Sequence, residues 1–201
     1  MTSATPRRVG ILGGTFDPPH YGHLAAAQSV RTQLGLDEVI LMVANDPWQK
    51  SGDRDVTPAA IRLEMVRALV NGLHGLSVSD QEIVRGGQTF TVDTLEELRA
   101  ANPDIELFLI VGEDTAVRIP SWHRPDDLSR LSTLVVVNRS SEPTTKGDAS
   151  DGTVIHVNMV PVDVSSTAIR HAVATGQPVT FGTSDAVASL IEQHQLYELS
   201  R

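Results

Sequence analysis

The chain has 201 residues, of which 40% are hydrophobic and 20% charged, and its formal net charge is −9 at pH 7. This length and composition predict a single globular domain over residues 1–201, while the lack of cysteine excludes disulfides, thiolate nucleophiles and cysteine-based zinc sites. The acidic balance, with no basic block and no apolar run of membrane length, predicts a cytoplasmic protein whose partners are small molecules rather than nucleic acid or membrane.

The first predicted unit is a strand, a turn and a helix. Residues 9–12 form a short apolar run that predicts a buried strand, and an alanine-rich segment from Leu24 predicts a helix that ends near Gly35. The first turn of a helix leaves backbone N–H groups unpaired and carries the positive end of the helix dipole. Gly13 and Gly14 precede it and allow close approach of a ligand and a positive φ. The unit therefore predicts a phosphate site.

Two histidines lie where the predicted strand passes to the predicted helix. His20 and His23 are three residues apart, so they share one face if the helix begins near His20. Imidazole can give or withhold a proton near neutral pH, and as imidazolium it can stabilise charge that grows on a phosphate oxygen. A capping histidine with a chance neighbour explains the pair equally well.

Residues 13–23 read Gly-Gly-Thr-Phe-Asp-Pro-x-His-x-Gly-His. This string resembles the signature of a nucleotidyltransferase superfamily whose members transfer a nucleotide monophosphate from a triphosphate to a phosphate-bearing acceptor. The resemblance implies that His20 and His23 hold the ATP phosphates and stabilise developing charge. It also implies that Thr15 and Phe16 line the site.

A second apolar run, residues 38–43, predicts the next buried strand. Strands that are apolar throughout and alternate with helices predict a doubly wound, Rossmann-like α/β domain with a mostly parallel sheet. The polar loop at residues 44–56 then lies over the carboxyl edge of that sheet, where ligands bind. Lys50 in this loop is a candidate phosphate contact, and a solvated lysine is the alternative.

Residues 76–79 predict a third strand, and a glycine turn follows it. A threonine after this turn is placed to cap a helix through Leu98, whose free N–H groups could hold an anion such as a carboxylate; a purely structural capped helix is the alternative. Residues 78–95 are similar to the pattern of bacterial nicotinate-nucleotide adenylyltransferases, with Phe90 where tyrosine is usual. The resemblance implies that N–H groups around Thr91 bind the nicotinate.

The fourth predicted strand, residues 105–111, is followed by Gly112 and Asp114 and, further on, by Trp122. The glycine allows the chain to turn close to a ligand, the carboxylate can accept hydrogen bonds from ribose hydroxyls, and the indole can stack on a flat heteroaromatic ring. A turn aspartate and a core tryptophan are the alternatives. The same family resemblance implies a nucleotide contact for Asp114 and a nicotinate contact for Trp122.

Residues 134–137 predict a fifth strand that ends beside Arg139, which is a candidate substrate phosphate contact or a surface arginine. The polar segment 140–152 predicts a mobile loop and residues 1–7 a flexible start, while residues 154–157 predict a sixth strand. A final amphipathic helix is predicted over residues 184–199.

Hydroxyl residues begin another predicted helix at Ser165 and Ser166, and Arg170 lies about one turn further on. A serine cap with a chance arginine is the alternative to a phosphate site. The segment resembles the second phosphate motif of the superfamily, Ile-Ser-Ser-Thr-x-Ile-Arg, with Val164 in the first position. This resemblance implies that Ser165, Ser166 and Arg170 hold the β and γ phosphates.

Together, these resemblances imply an enzyme of NAD biosynthesis that forms deamido-NAD and pyrophosphate from ATP and nicotinate mononucleotide. ATP enters as a substrate, Mg²⁺ is carried on its oxygens, and no protein metal site is expected. The alternatives are a related enzyme that uses nicotinamide mononucleotide, phosphopantetheine or glycerol 3-phosphate, and a nucleotide-binding regulator without turnover. The sequence leaves open whether the chain forms a homo-oligomer.

Overall fold

A computed structural model describes residues 5–46, 56–138 and 154–198. The strands are β1 (Arg8–Gly14), β2 (Glu38–Val43), β3 (Leu76–Ser79), β4 (Glu106–Gly112), β5 (Thr133–Asn138) and β6 (Val154–Asn158). The helices are α1 (Tyr21–Leu34), α2 (Ala59–Val70), α3 (Gln81–Arg85), α4 (Thr91–Ala101), α5 (Glu113–Ala116), α6 (Pro125–Leu131), α7 (Ser166–Ala174) and α8 (Asp185–Gln193). A 3-10 turn covers Ile119–Ser121.

The six strands form one sheet in the order β3-β2-β1-β4-β5-β6. All neighbouring strands in it are parallel. Helices α1 and α2 cover one face, with Val30 and Val66 buried against it, and α4 and α6 cover the other, with Leu95 and Leu128 buried. Burial on both faces explains why the strand sequences are apolar throughout. The predicted doubly wound α/β class is confirmed, and within the described residues the sheet is wholly parallel.

A third apolar cluster joins the last two helices to α2. Its buried members include Met65 and Leu69 of α2, Ile169 of α7, and Val187 and Ile191 of α8. Helix α2 therefore packs against the sheet on one side and against α7 and α8 on the other. Nothing in the described residues combines the helix length and hydropathy that a membrane span requires.

The last predicted helix is shorter than expected. The sequence predicted a helix over residues 184–199, whereas α8 begins after the Ser184 cap and ends at Gln193. Gln195 and Tyr197 then adopt positive φ angles of 50° and 64°, which turn the chain out of the helical path. The prediction of helix over residues 194–198 is wrong, and residue 199 lies outside the described residues.

The direction of winding changes between β1 and β4, which are neighbours in the sheet although two strands separate them in the sequence. In open α/β sheets, ligands bind outside the carboxyl ends of the strands at such a reversal. The ends of β1 and β4, at Gly14 and Gly112, therefore mark the expected site.

Candidate active site

A cleft of about 810 Å³ opens at this edge of the sheet. It is bounded by the ends of β1 and β4, by the amino-terminal ends of α1, α4 and α7, and by the residues after the 3-10 turn. Most of the residues singled out in the sequence line it: Gly13, Gly14, Thr15, Phe16, His20, His23, Thr91, Gly112, Trp122, Ser165, Ser166 and Arg170.

One residue singled out in the sequence is not part of this lining, and two others fall outside the part of the chain that the structure describes. Asp114 is exposed on α5, and the cleft wall there is formed by Gly112, Thr115 and Arg118. Lys50 and Arg139 lie outside the described residues. The roles assigned to these three side chains stay predictions.

The turn after β1 is built around the ring of Phe16. Gly13 and Gly14 end the strand without a positive φ, whereas Phe16 has a φ of 51°. A Cβ atom on Gly14 would lie 2.9 Å from Cζ of the Phe16 ring, which is too close for a carbon contact. Gly14 therefore allows the ring, only 2% exposed, to fold back over the end of the strand.

The two histidines form a stacked pair at the start of α1. His20 occupies the N-cap position and His23 the third helical position, and their ring centroids are 3.7 Å apart with 27° between the planes. The backbone N–H of His20 donates to Nδ1 of His23 at 3.1 Å. Because this bond requires an unprotonated Nδ1, the neutral His23 ring carries its proton on Nε2. His23 thus has a donor for an anionic oxygen.

One aromatic contact and one steric contact fix the positions of these rings further. Phe16 meets His23 edge-on, with centroids 4.8 Å apart and 70° between the planes. A Cβ atom on Gly22 would lie 3.0 Å from Cε1 and Nδ1 of His20. The glycine of the His-x-Gly-His string is therefore explained by the space that the His20 ring occupies.

Helix α7 is hydrogen-bonded directly to the turn after β1. Ser166 Oγ donates to the Pro18 carbonyl at 2.8 Å, and Arg170 Nη1 donates to the Asp17 carbonyl at 2.8 Å. Ser165 caps the helix by accepting the Ala168 N–H at 3.1 Å. The two motifs are thus joined, and the Arg170 guanidinium is oriented before any ligand arrives.

The opposite end of the cleft contains the start of α4 and two aromatic groups. Phe90 occupies the N-cap position of α4 and makes no side-chain capping bond. The prediction that a threonine caps this helix is therefore wrong. The Phe90 ring lies against His123, with centroids 4.5 Å apart. Nε1 of Trp122 is buried and has no hydrogen-bond partner among the described residues. A buried donor in a cleft wall can be satisfied by a bound ligand.

A buried carboxyl group, that of Glu82 on α3, lies behind the start of α4 and also lines the cleft. It accepts a hydrogen bond from Thr94 Oγ1 at 2.7 Å, and Arg85 Nη2 donates to the same threonine oxygen at 3.0 Å. Burial raises the pKa of Glu82 above its ordinary value, although the Thr94 bond and the Arg85 charge oppose the shift. Glu82 lies within the segment 78–95, but the sequence assigned it no role, because its burial depends on how α3 and α4 pack together.

Arg62 on α2 is a second residue that the sequence did not single out. Its side chain is 1% exposed and donates to four main-chain carbonyls at 2.7 to 2.9 Å, those of Thr15, Ala44, Asn45 and Thr57. These carbonyls lie after β1, after β2 and before α2. Arg62 therefore holds the loops at the edge of the sheet in fixed positions.

The chemistry available in the cleft is that of an anion site. Imidazole rings, the Arg170 and Arg118 guanidinium groups and the amino-terminal end of α7 supply donors and positive potential. In the parts of the chain that the structure describes, no three His, Cys, Asp or Glu side chains form a metal-binding group. Such an arrangement suits a polyphosphate and is able to stabilise charge on a phosphoryl group during transfer.

The fold and the cleft define a nucleotidyltransferase of the cytidylyltransferase-like family, whose model matches residues 11–172. Relatives named as probable nicotinate-nucleotide adenylyltransferases include one from Dehalococcoides mccartyi, 39% identical over 198 residues, which cover 94% of this chain and 97% of the relative. Another, from Streptomyces coelicolor, is 41% identical over 186 residues, which cover 92% and 98%. The chain belongs to the nicotinate-nucleotide adenylyltransferase family, and the predicted resemblance is confirmed.

Solved structures of similar fold include the Plasmodium falciparum nicotinic acid mononucleotide adenylyltransferase in complex with NaAD. It shares 17% identity with this chain, with a TM-score of 0.78, and the match covers 95% of this chain and 97% of that chain. The same enzyme in complex with APC matches with a TM-score of 0.75 at 16% identity. These likenesses show that the fold is shared.

Proposed function

We propose that the protein transfers AMP from ATP to nicotinate mononucleotide, which gives deamido-NAD and pyrophosphate in NAD biosynthesis. The observation that carries this proposal is a single cleft that contains both the paired histidines with α7 and, at its other end, the start of α4 with Trp122. A shared cleft allows the phosphate of the acceptor to reach the α-phosphate of ATP. The relatives named for this reaction, about 39% identical over nearly the whole chain, support the same acceptor.

In the proposed reaction, a phosphate oxygen of the acceptor attacks the α-phosphorus of ATP. The bond from that phosphorus to the oxygen bridging toward the β-phosphorus breaks, and its electron pair leaves with pyrophosphate. Nε2–H of His23 donates to the oxygens on which negative charge grows. His20 helps to hold the ATP phosphates and to stabilise the same charge. Arg170 and the N–H groups at the start of α7 hold the β and γ phosphates, so catalysis is positioning and charge stabilisation. Mg²⁺ arrives as part of the ATP substrate.

The acceptor is proposed to bind at the other end of the cleft. N–H groups around Thr91 at the start of α4 would receive the nicotinate carboxylate, and the indole of Trp122 would stack on the pyridine ring. The sugar contact of Asp114, the phosphate contacts of Lys50 and Arg139, and the cytoplasmic location stay predictions.

Pyrophosphate release with Mg²⁺-ATP and four separate acceptors tests the proposal. We expect release with nicotinate mononucleotide to exceed that with nicotinamide mononucleotide, phosphopantetheine and glycerol 3-phosphate. Preference for another acceptor would contradict the assigned specificity and retain the nucleotidyl transfer. Binding of ATP without release with any acceptor would instead support a regulator without turnover.

Trp122→Ala is expected to weaken nicotinate mononucleotide binding by about 10-fold, since stacking of a base on an aromatic side chain contributes about 1–3 kcal/mol. ATP affinity should change by less than about twofold. Calorimetric titration of each ligand measures both effects. Trp122→Phe is the matched control, because it retains an aromatic face and should recover most of the acceptor affinity. Equal losses for ATP and acceptor in Trp122→Ala would refute the stacking role.

A further inference from the structure

We infer that Tyr197 is a positioning residue for ATP binding, which acts by orienting the Asp17 carboxylate in the turn between β1 and α1. The inference rests on the proposed function only in taking ATP to be the ligand of this end of the cleft. Asp17 and Tyr197 are 180 residues apart in the sequence, and Tyr197 Oη donates to Asp17 Oδ1 at 2.6 Å.

Tyr197 reaches this position because the chain leaves the helical path after α8. The positive φ angles at Gln195 and Tyr197 turn the segment back, and Leu196 and Tyr197 pack against the cluster of α2, α7 and α8. The phenol lies beside Thr57, whose Oγ1 is 3.4 Å from the Tyr197 oxygen. Burial raises the pKa of Tyr197, and the Asp17 charge raises it further, so the phenol keeps its proton and stays a donor.

Asp17 is the link between this tyrosine and the cleft. It is 2% exposed and lines the cleft, whereas Tyr197 is not a lining residue. The 2.6 Å bond therefore directs Oδ1 toward Tyr197, which lies behind the cleft wall. The Thr57 N–H donates to Oδ2 at 3.4 Å. These donors fix the orientation of a negative charge in a site that must receive an anionic polyphosphate.

The same aspartate is bonded to the proposed phosphate-binding arginine. Arg170 Nη1 donates to the main-chain carbonyl of Asp17 at 2.8 Å. A carboxylate that lost its phenol donor would compete with ATP for this nearby guanidinium, since oppositely charged groups attract strongly in a desolvated site. By donating to the Asp17 carboxylate, Tyr197 therefore limits its competition with the β and γ phosphates.

The turn that follows Asp17 is fixed from the same side. Thr183 Oγ1 donates to the Pro19 carbonyl at 3.0 Å, and the Tyr21 N–H donates to the Gly182 carbonyl at 2.9 Å. These bonds do not involve the Tyr197 hydroxyl, so they persist when it is removed. Removal of the hydroxyl then changes the orientation of the Asp17 carboxylate while the start of α1 stays in position.

Tyr197→Phe is expected to raise the dissociation constant for Mg²⁺-ATP by roughly 10-fold, because a buried charged group loses a donor. The dissociation constant for nicotinate mononucleotide should change by less than about twofold. Adding Asp17→Asn to Tyr197→Phe removes the competing charge, so the double variant should recover ATP affinity to within about threefold of the unaltered protein. Calorimetric titration of each ligand gives these values without turnover.

Leu190→Ala is the matched control for general loosening of α8. Leu190 packs in the same apolar cluster, so its truncation lowers the thermal midpoint while the Tyr197 hydroxyl stays in place. Well below its midpoint, this variant should bind ATP normally. Unchanged ATP affinity in Tyr197→Phe, equal weakening of both ligands, no recovery in the double variant, or an equal loss in Leu190→Ala would each overturn the inference. Since these measurements need no product, they remain decisive even if no acceptor supports pyrophosphate release.

Discussion

Replacing His23 with alanine is expected to lower kcat by roughly 100- to 1000-fold, the usual cost of removing one donor aimed at developing negative charge. The expected loss follows from the Nε2–H donor, because the bond from the His20 N–H to Nδ1 leaves the ring proton on Nε2. Steady-state rates at saturating ATP and nicotinate mononucleotide measure it. Near-normal kcat in a folded variant would contradict the assigned role.

His23 also caps α1, so its removal weakens the helix as well as the chemistry. The two effects can be separated with His23→Gln, because glutamine at the third helical position can return a hydrogen bond to the N-cap N–H. We expect His23→Gln to be as inactive as His23→Ala but more stable to heat. The exposed His74 supplies a matched control, since His74→Ala removes an imidazole far from the cleft and should leave kcat unchanged.

Arg62→Ala is expected to lower the free energy of unfolding by at least about 3 kcal/mol, because several buried carbonyls lose their donor together. Its guanidinium bonds to four carbonyls, and the side chain is 1% exposed. Urea denaturation, with the midpoint and slope both fitted, measures the change. Arg62→Lys keeps the charge but not the planar fork, so its loss should be intermediate.

Arg67 on the same helix provides the matched control. Its side chain is 57% exposed and forms an ion pair with Asp80 at 3.1 Å. An exposed pair of this kind contributes about 0–1 kcal/mol, so Arg67→Ala should have little effect on unfolding. If Arg62→Ala lowered the free energy of unfolding no more than Arg67→Ala does, the four buried carbonyl bonds would contribute less stability than we expect.

The sequence predicted the sheet well because its strands are buried on both faces. Residues 38–43 and 76–79 were predicted as strands with the bounds that β2 and β3 have. The short helices α3 and α6 have five and seven residues, and so few turns leave no periodic pattern to recognise. The order of the strands depends on pairings between distant segments, which no local pattern encodes.

The sequence could predict those residues of the candidate site that belong to short motifs, such as His20 and His23. Arg62 was missed because an arginine on an amphipathic helix is expected to face solvent, whereas α2 is covered on two sides. Tyr197 was missed for a different reason. Its contact with Asp17 requires the chain to turn after α8, and the sequence favoured continued helix there.

The bonds that hold the turn after β1 come from residues far along the chain. Ser166, Arg170, Thr183 and Tyr197 reach it across sequence separations of 148, 153, 164 and 180 residues. A nascent chain therefore displays the histidine motif early but acquires these four contacts only after α7 and the segment following α8 have left the ribosome. The sheet can assemble from earlier pairings, whereas competence to hold a nucleotide is a late event in synthesis.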